Sequence, residues 1–234
     1  MPISLEHRRV GDVTVVTCAG RIVEGTESIA LRKMVDDLLQ YGPHLVLHLG
    51  AVDFLDSSGL GLLVRCVTRT RNAHGNLTLC ALTPQILKVL EVTHLRPIFD
   101  VHESEADAIN ALYQRPSSGG GTARLQTDIL CVDGSSDVQA YVRGILAQAG
   151  YGVLTAGNLP DGLILLQAAR PKLVVIGADF RATRETRTAD KFNALADALL
   201  VVVLPADFSR RDAGEAGQRL LDEVRGLLRP PDAS

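Results

Sequence analysis

The interval QRPSSGGGTAR, residues 114–124, divides the chain more firmly than any other feature of its sequence. Gly, Ser and Pro in such density supply almost no apolar side chain to bury and favour turns or extended linkers, so the chain on each side must build its own core. The sequence therefore predicts one domain over 1–114, a linker over 115–125 and a second domain over 126–234. Both flanks have the length of a domain that folds alone.

The two flanks differ in hydrophobic pattern. In the first, VTVVTCAG (13–20) follows the turn pair Gly11-Asp12, and HLVLHLG (44–50) alternates Leu45, Leu47 and Leu49 with His44, Val46 and His48. Alternation predicts strands with one face covered and the other partly wet. Leu31, Met34, Val35 and Leu38 recur at helical spacing, with Thr26 as the expected cap, and Thr83-Pro84 opens a further helix over QILKVLEV. The predicted order is strand, strand, helix, strand, helix, strand, helix, strand, helix, with the last strand near 97–101 and the last helix near 104–113.

In the second flank, LVVIG (173–177) and LLVVVL (199–204) are continuous aliphatic runs, the pattern of parallel strands buried on both faces. DILCVD (128–133) and YGVLTA (151–156) read as further strands. A helix carrying Val142, Ile145, Leu146 and Ala149 stops at Gly150, another near 160–169 ends before Pro171, and a last one carries Leu220, Val224, Leu227 and Leu228. No convincing fifth strand precedes that last helix. The fold class is α/β throughout.

Charge and composition exclude several functions. Residues 1–114 hold 10 basic and 13 acidic side chains and residues 115–234 hold 14 of each, so neither half carries the clustered cations that nucleic acid or an anionic membrane requires. The N-terminus lacks the apolar run of a signal peptide, and LLVVVL is far short of the roughly 20 residues needed to span a bilayer; a cytoplasmic protein with no membrane span is expected. Cys18, Cys66, Cys80 and Cys131 lie far apart without ligand spacing, so buried reduced thiols are expected. His44 and His48 share a strand face but find no third ligand, so no metal and no cofactor is expected. Gly59-Leu60-Gly61 lacks the third glycine of a dinucleotide fingerprint, GGGTAR is no phosphate loop, and Ser57 stands in no GxSxG elbow. The sequence predicts a binding protein rather than an enzyme.

FLDSSGLGLLV, residues 54–64, carries the main functional signal. Leu60, Leu63, Val64 and Val67 set a helix starting near Ser58, with Ser57 at or beside its N-cap. Asp56, Ser57 and Ser58 suit the free N–H groups of a first turn. Gly59 and Gly61, each costing a helix about 1 kcal/mol relative to alanine, point to a surface that something else approaches closely. A phosphoryl group on a serine here would add about −1.5 to −2 charges where the helix dipole accepts them.

With VTCAGRI, HLVLHLGAVDFLDSSGLG and LTLCALTPQILKVLEVTHL, residues 3–113 resemble the STAS domain of the anti-sigma factor antagonists. The resemblance implies a mixed sheet with helices, and Ser57 as the residue phosphorylated by an anti-sigma factor that is a GHKL-type serine kinase. It further implies that the unphosphorylated domain binds that anti-sigma factor, that the phosphorylated one releases it, and that a PPM-type phosphatase resets it. Asp56, Ser57, Ser58, Gly59, Gly61 and Glu24 are the implied docking residues. Val23 stands where the family has an acid, and Glu24 is next to it. A STAS domain also serves as an unphosphorylated scaffold or as the soluble partner of a membrane transport system, the alternative reading.

Residues 127–180 resemble the front of a two-component receiver, a flavodoxin-like doubly wound domain, here truncated and degenerate. The first acidic pair becomes Asp133-Gly134, the phosphoacceptor position is Gly177, and Asp179 lies two residues on, expected on the same strand face. The charged stretch 179–191 reads as a solvated loop and helix face, from which Arg181 or Arg184 stands over the vacated acidic pocket. Without a fifth strand, 199–204 becomes a sheet edge, and the expected outcome is docking or a homodimer through the C-terminal domain.

Overall fold

A computed structural model describes residues 3–114, 127–183, 186–210 and 213–228. Its contacts divide the chain into two compact units, Met1–Gly121 and Thr122–Ser234. The linker predicted over 115–125 lies outside the described residues.

In the first unit the order is β1 (Ser4–Val10), β2 (Val13–Ile22), α1 (Thr26–Leu38), β3 (His44–Leu55), α2 (Ser57–Asn72), β4 (Asn76–Cys80), α3 (Pro84–Val92), β5 (Asp100–His102) and α4 (Glu105–Gln114). The strands form one sheet in sequence order, with β1 antiparallel to β2 and every later pair parallel. Leu45, Leu47 and Leu49 of β3 join Leu31 and Val35 of α1, Leu60, Leu63 and Val67 of α2, and Ile86 and Leu90 of α3 in one core. Burying each such side chain contributes about 1.5–3 kcal/mol, and this core, more than helix propensity, fixes where α2 lies.

Three sequence expectations shift. Val46 is as buried as its neighbours, because α4 packs on β3 and β4 and covers the face expected to be partly wet; Ala108, Ile109 and Leu112 are its buried residues. The fifth strand is only Asp100–His102, since Arg96–Ile98 close a 3-10 turn after Pro97 has removed a donor. Thr26 is the first residue of α1, and Gly25, at φ 125°, takes the cap position without a side-chain bond.

The second unit runs β6 (Ile129–Val132), α5 (Ser136–Gln148), β7 (Val153–Ala156), α6 (Leu159–Ala169), β8 (Leu173–Gly177), α7 (Ala178–Ala182), α8 (Arg187–Ala196), β9 (Leu200–Leu204) and α9 (Ala213–Leu227). Its four strands are parallel in the order β7-β6-β8-β9. Val138, Val142 and Leu146 of α5 and Leu220 and Val224 of α9 pack with Ile129, Cys131, Val175 and Val202. β8 is buried along its whole length, as a central parallel strand should be. β9 is not: it ends the sheet, and Val203 is 46% exposed. The aliphatic run at 199–204 therefore marks a sheet edge and not a strand covered on both faces.

Candidate functional site

β2 and β3 are parallel neighbours, with Ile22 paired to Leu55, so the chain leaving β2 and the chain entering α2 emerge side by side. Asp56 is the N-cap of α2 and holds both. Its Oδ1 accepts from the Gly59 backbone N–H at 2.7 Å and its Oδ2 from the Glu24 backbone N–H at 3.4 Å. Ser58 Oγ donates to Glu24 Oε2 at 3.4 Å. The helix thus begins one residue earlier than the apolar spacing suggests, and the cap is the aspartate rather than Ser57.

That shift releases Ser57. It is the first residue of α2, it is exposed, and its hydroxyl makes no hydrogen bond to a described residue. A hydroxyl beside the free N–H groups at the positive end of a helix dipole is a favourable place for an added anion. Glu24, exposed and bonded to Ser58, brings an acid to this turn although position 23 is Val. The β2–β3 register was the signal for it, because the residues following Ile22 must lie beside those following Leu55.

The two glycines separate. A Cβ on Gly59 would meet the Ile22 carbonyl oxygen at 2.1 Å and the Leu55 side chain at 2.8 Å. Gly59 is buried and is there so that α2 can lie against the end of β2; it is a packing residue and not the exposed docking position read from the sequence. A Cβ on Gly61 would meet only Arg65 Nη1, at an ordinary 3.6 Å. The fold makes no demand for Gly61. Two positions before Asp56, Phe54 is 38% exposed with the Arg21 guanidinium 4.8 Å over its ring centre, a cation–π pair that the sequence reading missed.

Comparison with known proteins bears on this unit. The family model described as STAS domain matches residues 4–108. An anti-sigma F factor antagonist of Paenibacillus polymyxa is 27% identical over 114 residues, covering 48% of this chain and 95% of that one. A crystal structure of an anti-sigma factor antagonist from Mycobacterium paratuberculosis is 25% identical with a TM-score of 0.43, over 47% of this chain and 93% of that one. An anti-sigma-factor antagonist STAS protein from Planctomyces limnophilus is 26% identical with a TM-score of 0.40, over 48% of this chain and 98% of its own. The matched span contains the whole Glu24–Asp56–Ser57–Ser58 turn.

The second unit has a cleft of about 400 Å³ where β6, β8 and β9 end, lined by Asp133, Ser135, Gly177, Asp179, Phe180 and Phe208. Asp133 Oδ1 accepts from the Ser135 N–H at 2.8 Å, and a Cβ on Gly177 would stand 2.5 Å from Asp133 Oδ2. The aspartate lies across the place a side chain at 177 would fill. Asp179 does not continue the strand face, because the chain turns into α7 directly after Gly177. Arg181 turns away from the cleft to Asn193 Oδ1 at 2.9 Å and to Asp197, fastening α7 to α8, and Arg184 lies outside the described residues.

Elsewhere the chemistry is quiet. Burial pushes the thiols of Cys18, Cys66, Cys80 and Cys131 up to about 12, which keeps them protonated and poorly nucleophilic. Burial also lowers the pKa of His44, with Asp12 opposing, and its Nδ1 is buried without a partner. His48 Nδ1 accepts from the Gly50 N–H at 3.4 Å. Among the described residues no three His, Cys, Asp or Glu side chains gather as a metal site, and no helix is long and apolar enough to cross a membrane.

Proposed function

We propose that the chain is an anti-sigma factor antagonist whose STAS domain binds a GHKL-type anti-sigma kinase and is switched off by phosphorylation of Ser57. The observation that carries this reading is the division of labour at the start of α2: Asp56 caps the helix, leaving an exposed Ser57 hydroxyl with no structural duty. The names of the relatives support the same role. In the transfer, Ser57 Oγ attacks the γ-phosphorus of ATP, a new O–P bond forms as the bond to the β-phosphate oxygen breaks, ADP leaves, and the hydroxyl proton passes to a base of the kinase. Asp56, Ser58, Gly61 and Glu24 form the docking surface around the acceptor, and a PPM-type phosphatase reverses the modification by hydrolysis.

The second unit is a pseudo-receiver without phosphoacceptor chemistry, its acidic place closed by Asp133 over Gly177. It supplies a homodimer contact through the β9 edge, where Val203 is exposed. Light scattering should then give twice the chain mass for the wild type and the single mass for Val203→Lys; a wild-type monomer at high concentration removes the contact.

The switch is tested by incubating the full chain with its purified anti-sigma kinase and ATP and recording intact mass. One phosphoryl group on the wild type and none on Ser57→Ala is the expected result. A phosphate that persists in full on Ser57→Ala excludes the acceptor.

A further inference from the structure

We infer that Gly61 is a contact residue of the kinase, keeping clear the space in front of Ser57 through which the nucleotide's γ-phosphate arrives. This inference rests on the reading of Ser57 as phosphoacceptor and identifies which neighbour admits the enzyme.

The argument starts from the unequal glycines. Gly59 is accounted for by Ile22 and Leu55, whereas a Cβ at 61 would meet, beyond its own helix backbone, only the far end of Arg65 at 3.6 Å. The cost of a glycine within a helix is therefore unrepaid by packing at this position. Gly61 lies four residues after Ser57, on the same helix face and about 6 Å away by helix geometry. The direction of helical side chains then decides the matter. They lean toward the N-terminus, so a residue covers the surface over the turn before its own Cα. A side chain at 61 would therefore cover the turn that holds Ser57. Arg65 shows the same lean, since its Nη1 comes to 3.6 Å from the Cβ position of Gly61, one turn before it.

Phosphoryl transfer requires the γ-phosphorus to come within about 3–3.5 Å of the serine oxygen, with kinase groups enclosing it on the sides away from the acceptor. An enzyme that encloses Ser57 so closely must also lie on the next turn of the same face. With glycine there, the kinase meets bare backbone. Arg65 is an exposed cation bordering that gap and carries the charge sign that suits nucleotide phosphates.

Three variants of the full chain test the inference, assayed with the purified GHKL-type anti-sigma kinase and ATP alongside thermal melting. Gly61→Ala should melt at or above the wild-type temperature yet be phosphorylated with kcat/KM about tenfold lower, the loss falling mainly in KM, and Gly61→Gln should lose more. Gly144→Ala is the control: it lies within α5, a Cβ there meets nothing within 4 Å, and it should raise the melting temperature while leaving phosphorylation unchanged. Wild-type kinetics for both Gly61 variants overturn the inference and leave Ser57 as acceptor. Failure of the wild-type chain to accept a phosphoryl group overturns both. A lowered melting temperature for Gly61→Ala would show that the fold itself needs the glycine, and would overturn the inference as well.

Discussion

Each unit ends a central parallel strand with an aspartate that accepts hydrogen bonds from the backbone beyond it, Asp56 after β3 and Asp133 after β6. The first aspartate caps its helix outright, so the serine beside it faces solvent unused. The second accepts from Ser135 N–H, while capping of α5 falls to Ser135 itself, whose Oγ accepts from the Val138 N–H at 3.4 Å. Its remaining oxygen lies over Gly177. The same sheet-end arrangement thus offers a spare hydroxyl in one unit and consumes its polar groups in the other. What separates the two strand ends is which side chain performs the capping: the aspartate directly after the strand in one unit, the serine two residues beyond it in the other.

The contrast is sharpest where a Cβ has no room. Gly59→Ala forces an atom against the Ile22 carbonyl and should lower stability by about 3 kcal/mol in urea unfolding. Gly177→Asp, which places an acid at the end of β8, collides with a movable carboxylate instead of backbone and should cost about 2 kcal/mol. It should also stay unmodified by acetyl phosphate; a stoichiometric acid-labile acyl phosphate in the intact mass would break the comparison. Removing the caps, Asp56→Ala in one unit and Ser135→Ala in the other, should each cost about 1 kcal/mol, whereas Ser57→Ala should change stability by less than about 0.5 kcal/mol. A Ser57→Ala loss as large as that of Asp56→Ala would return the capping role to the serine.

The smallest effect concerns pH. Burial disfavours the His44 imidazolium, so as pH falls below the ordinary 6.5 the unfolded chain takes up the proton before the folded one, and stability declines. His44→Leu should flatten that decline in unfolding measured between pH 7 and 5. An unchanged slope would show that the histidine is not responsible.

Much of this was legible in the sequence. The strand and helix order of the first unit follows from alternation and helical spacing, because each pattern matches the face that β3 or α2 buries. The Asp-Ser-Ser-Gly turn that opens α2 was legible as a motif. What remained hidden depends on neighbours distant in the chain. The start of α2 moved by one residue because Asp56 was placed to cap it and to accept from Glu24, a contact set by the β2–β3 register. Gly59 and Gly61 look alike as letters and differ only in whether Ile22 lies above them. β8 and β9 carry the same aliphatic pattern, yet position in the sheet leaves Val203 open to solvent.

All four thiols of the chain are sealed within the two cores and held neutral. Peroxide and disulfide exchange act on accessible thiolates, so an oxidising cell finds almost nothing on this polypeptide to mark. Cysteine oxidation would therefore require the folded cores to open first.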